Sequence, residues 1–96
     1  MAARVANARA VQLARYEEYG FRTNAEAEGE ILDRYAAPDA AGAKLLAEAA
    51  DSMRLTARGY HRVLKVARSI ADLAGEEKVR RPHIAEALSF RWLTHL

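Results

Sequence analysis

At 96 residues the chain is one domain's worth, and the absence of cysteine excludes a disulfide scaffold, a thiolate zinc site and a cysteine nucleophile. Hydrophobic residues make up 51%, much of it alanine, against 7% aromatic and 29% charged, a balance that favours closely packed helices over a sheet. Lys and Arg number 15 and Asp and Glu 13, so the net charge of +2 permits nucleic-acid contact without arguing for it. No apolar run approaches the roughly 20 residues of a membrane span. Met1-Ala2-Ala3-Arg4 open without a signal-peptide core, so the expected location is the cytoplasm, with no membrane partner.

In chain order, residues 2–18 predict a first helix. Ala2, Ala3, Ala6, Ala8, Ala10 and Ala14 carry the highest helix propensity, the apolar face is indistinct, and Gly20 ends the segment. Asn24 reads as the cap of a second helix through about Ala37, with Ala27, Ile31, Leu32 and Tyr35 on its apolar side. Gly29 inside that helix is expected to weaken it by about 1 kcal/mol. Pro38-Asp39 breaks the chain and offers the cap of a third helix to about Met53, with Leu45, Leu46, Ala49 and Met53 as its buried stripe.

The fourth helix is the clearest. Thr56 caps it, Gly75 terminates it after Ala74, and Tyr60, Val63, Leu64, Ala67, Ile70, Ala71 and Ala74 share one arc. Arg58, Arg62, Lys65 and Ser69 lie opposite. Val79 suits a short extended segment. Pro82 suits the start of a last helix with Ile84, Ala85 and Leu88 facing inward, while Trp92 fits either the core or a contact surface. The expected fold is all-α, a compact bundle of four to five helices forming a single domain over residues 1–96.

No complete catalytic set emerges. The phosphate-cradling pattern GxxxxGK followed by Ser or Thr is absent, as is HExxH, and His61, His83 and His95 are too dispersed to suggest a metal site. Arg58 is the residue that stands out. With Thr56 as the cap it occupies the second helical position, where a cation opposes the helix dipole by a few tenths of a kcal/mol. Spacing leaves two readings: a solvated surface arginine, or a guanidinium that shares a phosphate with the exposed helix end, with Gly59 allowing close approach. Arg62 and Lys65 extend the strip, either as a solvated face or as a surface for phosphates or an acidic partner. Arg68 and Asp72 read as a surface i,i+4 pair worth about 0.3 kcal/mol. His83 and Glu86 read as packing and dipole-compensating residues, and Tyr60 as core with its hydroxyl at the edge.

The run LTARGYHRVLKVARSIADLAG at Leu55–Gly75, then Val79, His83-Ile84-Ala85-Glu86-Ala87-Leu88 and Phe90-Arg91, resembles the C-terminal domain of magnesium-chelatase-like AAA+ ATPases of the competence-associated ComM type. Arg4-Val5, Ala8-Arg9, Gln12, Arg15 and Asn24-Ala25 resemble the segment that opens that domain, whereas 26–44 matches only loosely. The resemblance implies a helical lid beside an ATP-binding core of the same polypeptide. It implies that Arg58 is the sensor-2 arginine, which reaches the terminal phosphate of its own or a neighbouring subunit's nucleotide. It further implies a hexameric ring and, for the competence type, movement along branched DNA in recombination; chelatase proper would instead insert magnesium into a porphyrin.

ATP with magnesium is the cofactor the resemblance implies for the whole ATPase, with none expected for the isolated domain. The P-loop, Walker B acids, sensor 1 and arginine finger are absent from these residues, so the chain alone is not expected to be an enzyme. Arg80-Arg81-Pro82 offers no side-chain cap to the last helix, an expected weakening of about 1 kcal/mol. Two other classes fit the residues. One is a small nucleic-acid-binding module using Arg58, Arg62, Lys65 and Arg80-Arg81. The other is a protein-interaction module whose basic strip docks an acidic partner.

Overall fold

The computed structural model describes the backbone of residues 2–95 and the side chains of residues 3–90. The orientation of Trp92 and the surroundings of His95 lie outside the described residues. Five α-helices follow one another: α1 (Ala2–Tyr16), α2 (Gly29–Ala36), α3 (Ala40–Ser52), α4 (Ala57–Leu73) and α5 (Arg81–His95). Short 3-10 turns at Glu17–Tyr19 and Asn24–Glu26 link α1 to α2. Among the described residues the one extended pairing is a single parallel bridge between Pro38 and Val79, where the Asp39 N–H donates to the Val79 carbonyl at 2.9 Å.

The helix ends follow the local chemistry of the sequence. Thr56 Oγ1 accepts the Gly59 N–H at 3.0 Å and Asp39 Oδ1 accepts the Gly42 N–H at 2.7 Å, so α4 and α3 both start on a side-chain cap. At the far end of α4 the Glu76 N–H reaches the Ala71 carbonyl at 2.8 Å and the Gly75 N–H reaches Asp72 at 3.1 Å. This Schellman closure requires a left-handed residue, and Gly75 at φ 75° supplies it. The same closure ends α3, where the Leu55 N–H bonds the Ala50 carbonyl at 3.0 Å, but there the left-handed position is Arg54 at φ 51°.

Several expectations change. Asn24 does not cap a long second helix: the chain makes one 3-10 turn at 24–26, and α2 begins at Gly29, which stands at φ 56°. Gly29 is therefore the entry to the helix and not a weak point inside it. The last helix does have a cap, because His83 Nδ1 accepts the Arg80 N–H at 2.9 Å while the His83 N–H returns to the Arg80 carbonyl at 3.0 Å. His83 thus takes the part that Glu or Gln plays in a capping box. Ala74 and Ala85 are exposed, and Ala87 takes the inward position on α5 instead.

The core is built around α4, which touches α1, α2, α5 and the 24–26 turn. Val63, Leu64, Ala67 and Ala71 of α4 pack with Tyr16, Ala27, Leu32, Ala36, Leu46, Val79, Ile84 and Ala87. Small alanines on α4 let α5 approach closely, while Tyr16 and Tyr35 fill the space on the α1–α2 side with ring centroids 5.7 Å apart, edge to face.

Candidate functional site

Arg58 stands at the second residue of α4, and its side chain is exposed. The Thr56 cap occupies the Gly59 N–H, and the Tyr60 N–H bonds back to the Thr56 carbonyl at 2.9 Å. The Ala57 and Arg58 amides of that first turn have no intrahelical acceptor by the geometry of a helix start. Gly59 is buried, so it does not provide the open approach expected of it.

Arg58, Arg62 and Lys65 do come together. With His61 they line an open groove of about 1050 Å³ between α4 and the segment that leads into α2. Ala25, Glu28 and Gly29 line it from the segment leading into α2, and Leu32, Val66, Ile70 and Leu73 add apolar lining. The three cations differ in state. Lys65 is half-buried, donates to the Ala25 carbonyl at 3.0 Å and lies 3.9 Å from Glu28, so it ties α4 to the segment leading into α2. Among the described residues neither Arg58 nor Arg62 has an acidic group within ion-pair distance. Arg80 and Arg81 are exposed at the start of α5, outside the groove lining, and Arg80 faces Glu76 at 3.8 Å.

Behind this face lies a polar network that the periodicity did not reveal. Asp72 is buried and accepts from both nitrogens of the Arg15 fork, at 2.9 and 2.7 Å, and from Asn24 Nδ2 at 2.9 Å. Arg68 approaches the same carboxylate at 3.0 Å. The Arg68–Asp72 pair is therefore an interior one and not the surface pair expected, with the two side chains 2% and 1% exposed. Arg68 also donates to the carbonyls of Tyr35 (3.1 Å), Glu77 (2.7 Å) and Glu76 (2.7 Å), leaving only its Nε buried without a partner. Tyr16 donates to Asn24 Oδ1 at 2.6 Å, and Asn24 Nδ2 reaches Ser69 at 3.0 Å.

Burial pulls the Arg68 guanidinium below its ordinary value against the opposing charge of Asp72. For Arg15, burial also works downward, but the hydrogen bonds and charge of Asp72 outweigh it and the group moves up. The network is a clamp that locks α1, the 24–26 turn and α4 into register. Its polar groups face one another in the interior, so its work is structural. The available sequence signal was the placement of Arg68 and Asp72 beside the small residues Ala67 and Ala71, which leave room for a long side chain to lie inward. Nothing local linked them to Arg15 and Asn24, which are 57 and 48 residues from Asp72.

The geometry defines an all-helical domain with one basic, partly apolar groove at the head of its central helix. The family model described as "Magnesium chelatase, subunit ChlI C-terminal" matches residues 1–91, and the chain belongs to that family. Uncharacterised proteins of Mycobacterium bovis and Mycobacterium tuberculosis are each 46% identical over 88 residues, which is 92% of this chain and 18% of theirs. The competence protein ComM of Haemophilus influenzae is 49% identical over 51 residues, 53% of this chain and 10% of its own length. YifB of Salmonella typhimurium is 33% identical over 75 residues, 78% of this chain and 15% of its own. The chain thus spans less than a fifth of the length of these relatives. No solved structure matches it.

Proposed function

We propose that this domain is the helical lid of a magnesium-chelatase-like AAA+ ATPase and that Arg58 is its nucleotide-sensing arginine. The observation that carries the reading is the position of Arg58: exposed, without an acidic partner among the described residues, on the first turn of a side-chain-capped helix. The residues present fit the tail of a nucleotide held by a core outside these 96 residues. The first-turn amides of α4 attract anions, and Arg58 lies beside them with His61 and Arg62 one turn further on. A guanidinium bonded to a phosphate oxygen is a charge-assisted pair, stronger than a neutral hydrogen bond. Bound ATP with magnesium supplies the phosphoryl bond to be hydrolysed; Arg58 senses the terminal phosphate and moves the lid with it. Family membership and the match to ComM support a place in an oligomeric ring, a hexamer in this reading, acting on branched DNA as a competence-type machine.

The test uses the full-length ATPase that carries this domain. Arg58→Ala is expected to lower ATP turnover by at least about tenfold, since an arginine at a phosphoryl group is worth several kcal/mol in rate. The melting temperature of the 96-residue chain should be unmoved, because the side chain is exposed. Unaltered turnover together with unaltered nucleotide-dependent assembly rejects the role.

A further inference from the structure

Three of the five large apolar side chains that stand exposed among the described residues belong to α1: Val5 at 42%, Val11 at 47% and Leu13 at 52%. A helix on the surface of a domain normally turns charge to solvent. The side of α1 facing away from the buried Ala8 and Tyr16 instead carries Ala3, Ala6, Ala10, Leu13 and Ala14, all exposed, at the spacing with which one helix packs on another. The charges of α1 are all of one sign. Residues 2–16 hold no Asp or Glu, and Arg15 is spent on Asp72. Among the described residues Arg4 and Arg9 have no acidic group within ion-pair distance, and at about 100° per residue they fall on either flank of the Leu13 face.

The complement to this face is α3. Helix α1 leans on α4 and α3 on α5, while α4 and α5 pack together, so α1 and α3 are the outer helices of that row. Away from the buried Gly42, Leu46 and Ala49, α3 exposes Ala40, Ala43 and Ala47, which leave room for larger side chains from a facing helix. Beside them Glu48 and Asp51 are exposed and, among the described residues, unpaired. Lys44, exposed one turn before Glu48, offsets one of the two acids.

We infer that α1 of one copy packs against α3 of a second copy, head to tail. Leu13 and Val11 seat over the alanines of α3 and supply the affinity, while the arginines of α1 and the acids of α3 decide which faces meet. An α1–α1 pair would bring Arg4 and Arg9 of both copies together with no acid between them. The 26–33 stretch is richer in acids, but its exposed positions are Glu26, Glu28, Gly29, Glu30 and Asp33, which give Leu13 nothing apolar to pack on. A contact between two different faces repeats into a ring or an open chain of copies. It uses neither Arg58 nor the groove, so it stands apart from the role proposed for them.

One helix pair is a small contact, at or below the roughly 1,200 Å² low end of specific interfaces, so the 96-residue chain is tested up to about 1 mM. In sedimentation velocity the mean coefficient should rise with concentration, and rise less as salt is raised from about 50 to 500 mM. Leu13→Glu sets an acid against Glu48 and Asp51, and Ala47→Gln sets a bulky amide where the helices meet. Each alone should weaken association at least about tenfold, with melting temperatures unmoved because both positions are exposed. Mixed, the two variants should form a one-to-one dimer that grows no further, since each keeps the face that the other lacks. The inference is overturned by a wild-type chain that stays monomeric at about 1 mM, or by a mixture of variants that stays monomeric. It is also overturned by association that Leu13→Glu abolishes and Ala47→Gln leaves intact, the mark of an α1–α1 pair. Arg58→Ala should change the self-association less than about twofold, so loss of the nucleotide-sensing role leaves this result readable.

Discussion

Asp72 is the residue on which most of the interior polar chemistry converges. It faces Arg15, Arg68 and Asn24 at 3.0 Å or less, and its side chain is 1% exposed. Removing one member of a buried ion pair strands the other's charge, which costs about 3–5 kcal/mol. Asp72→Asn keeps the shape and deletes the charge, leaving two guanidiniums facing a neutral amide. We expect a loss of about 3 kcal/mol or more in urea unfolding and a melting temperature lower by more than about ten degrees. A change below about 1 kcal/mol would mean that water or a shifted Glu76 neutralises the arginines. Ser69→Ala, by contrast, removes a single neutral hydrogen bond and should cost about 1 kcal/mol.

At the scale of elements, helix ends set by residues within one turn are legible along the chain, and those that depend on distant partners are not. The caps Thr56 and Asp39, the stop at Gly75 and the apolar arc of α4 are all local, set by residues within one turn of each other. Residues 24–36 depart from the expected helix because Asn24, a good cap by type, spends its side chain on Tyr16, Ser69 and Asp72 from other elements. The cap on α5 is not legible in the sequence because a histidine does the work usually sought in a glutamate. The turn between α3 and α4 carries a cost that the sequence also concealed: Arg54 holds a left-handed backbone in which a Cβ is unfavourable by roughly 1–2 kcal/mol. Arg54→Gly should therefore stabilise the chain by up to about 1 kcal/mol, after the extra chain entropy of glycine is subtracted, and an unchanged or lower denaturation midpoint would show that the Arg54 side chain offsets its backbone.

For the whole molecule, the all-α class and the bundle follow from composition and periodicity, whereas spacing alone leaves Arg58 open between a solvated arginine and a phosphate contact. The groove lining from Ala25 to Gly29 was invisible to the same reasoning because it comes from a segment without regular periodicity. Global stability should also show the buried Tyr16 phenol, whose pKa is raised above 10 by burial, opposed by Arg15. The folded state then holds the proton more tightly than the unfolded one. Its contribution is fully present below about pH 10 and is lost as the pH climbs through the folded value. Unfolding followed from pH 8 to pH 11, as ordinary working limits around the tyrosine pKa of about 10, should fall more steeply at the alkaline end for the wild type than for Tyr16→Phe. Parallel curves would refute the assignment.

The three main-chain carbonyls gathered by Arg68 have a consequence for how this domain can change. Glu76, Glu77 and Lys78 all point to solvent, yet the path of that connection is held from beneath by a guanidinium rooted in α4. The side chains of Glu77 and Lys78 are free to drift while the length of the connection is not: an inserted residue would pull the carbonyls off a fork whose spacing is fixed by covalent geometry. Lysine at position 68, with a single ammonium in place of the fork, would not span both the Tyr35 carbonyl and the Glu76–Glu77 pair.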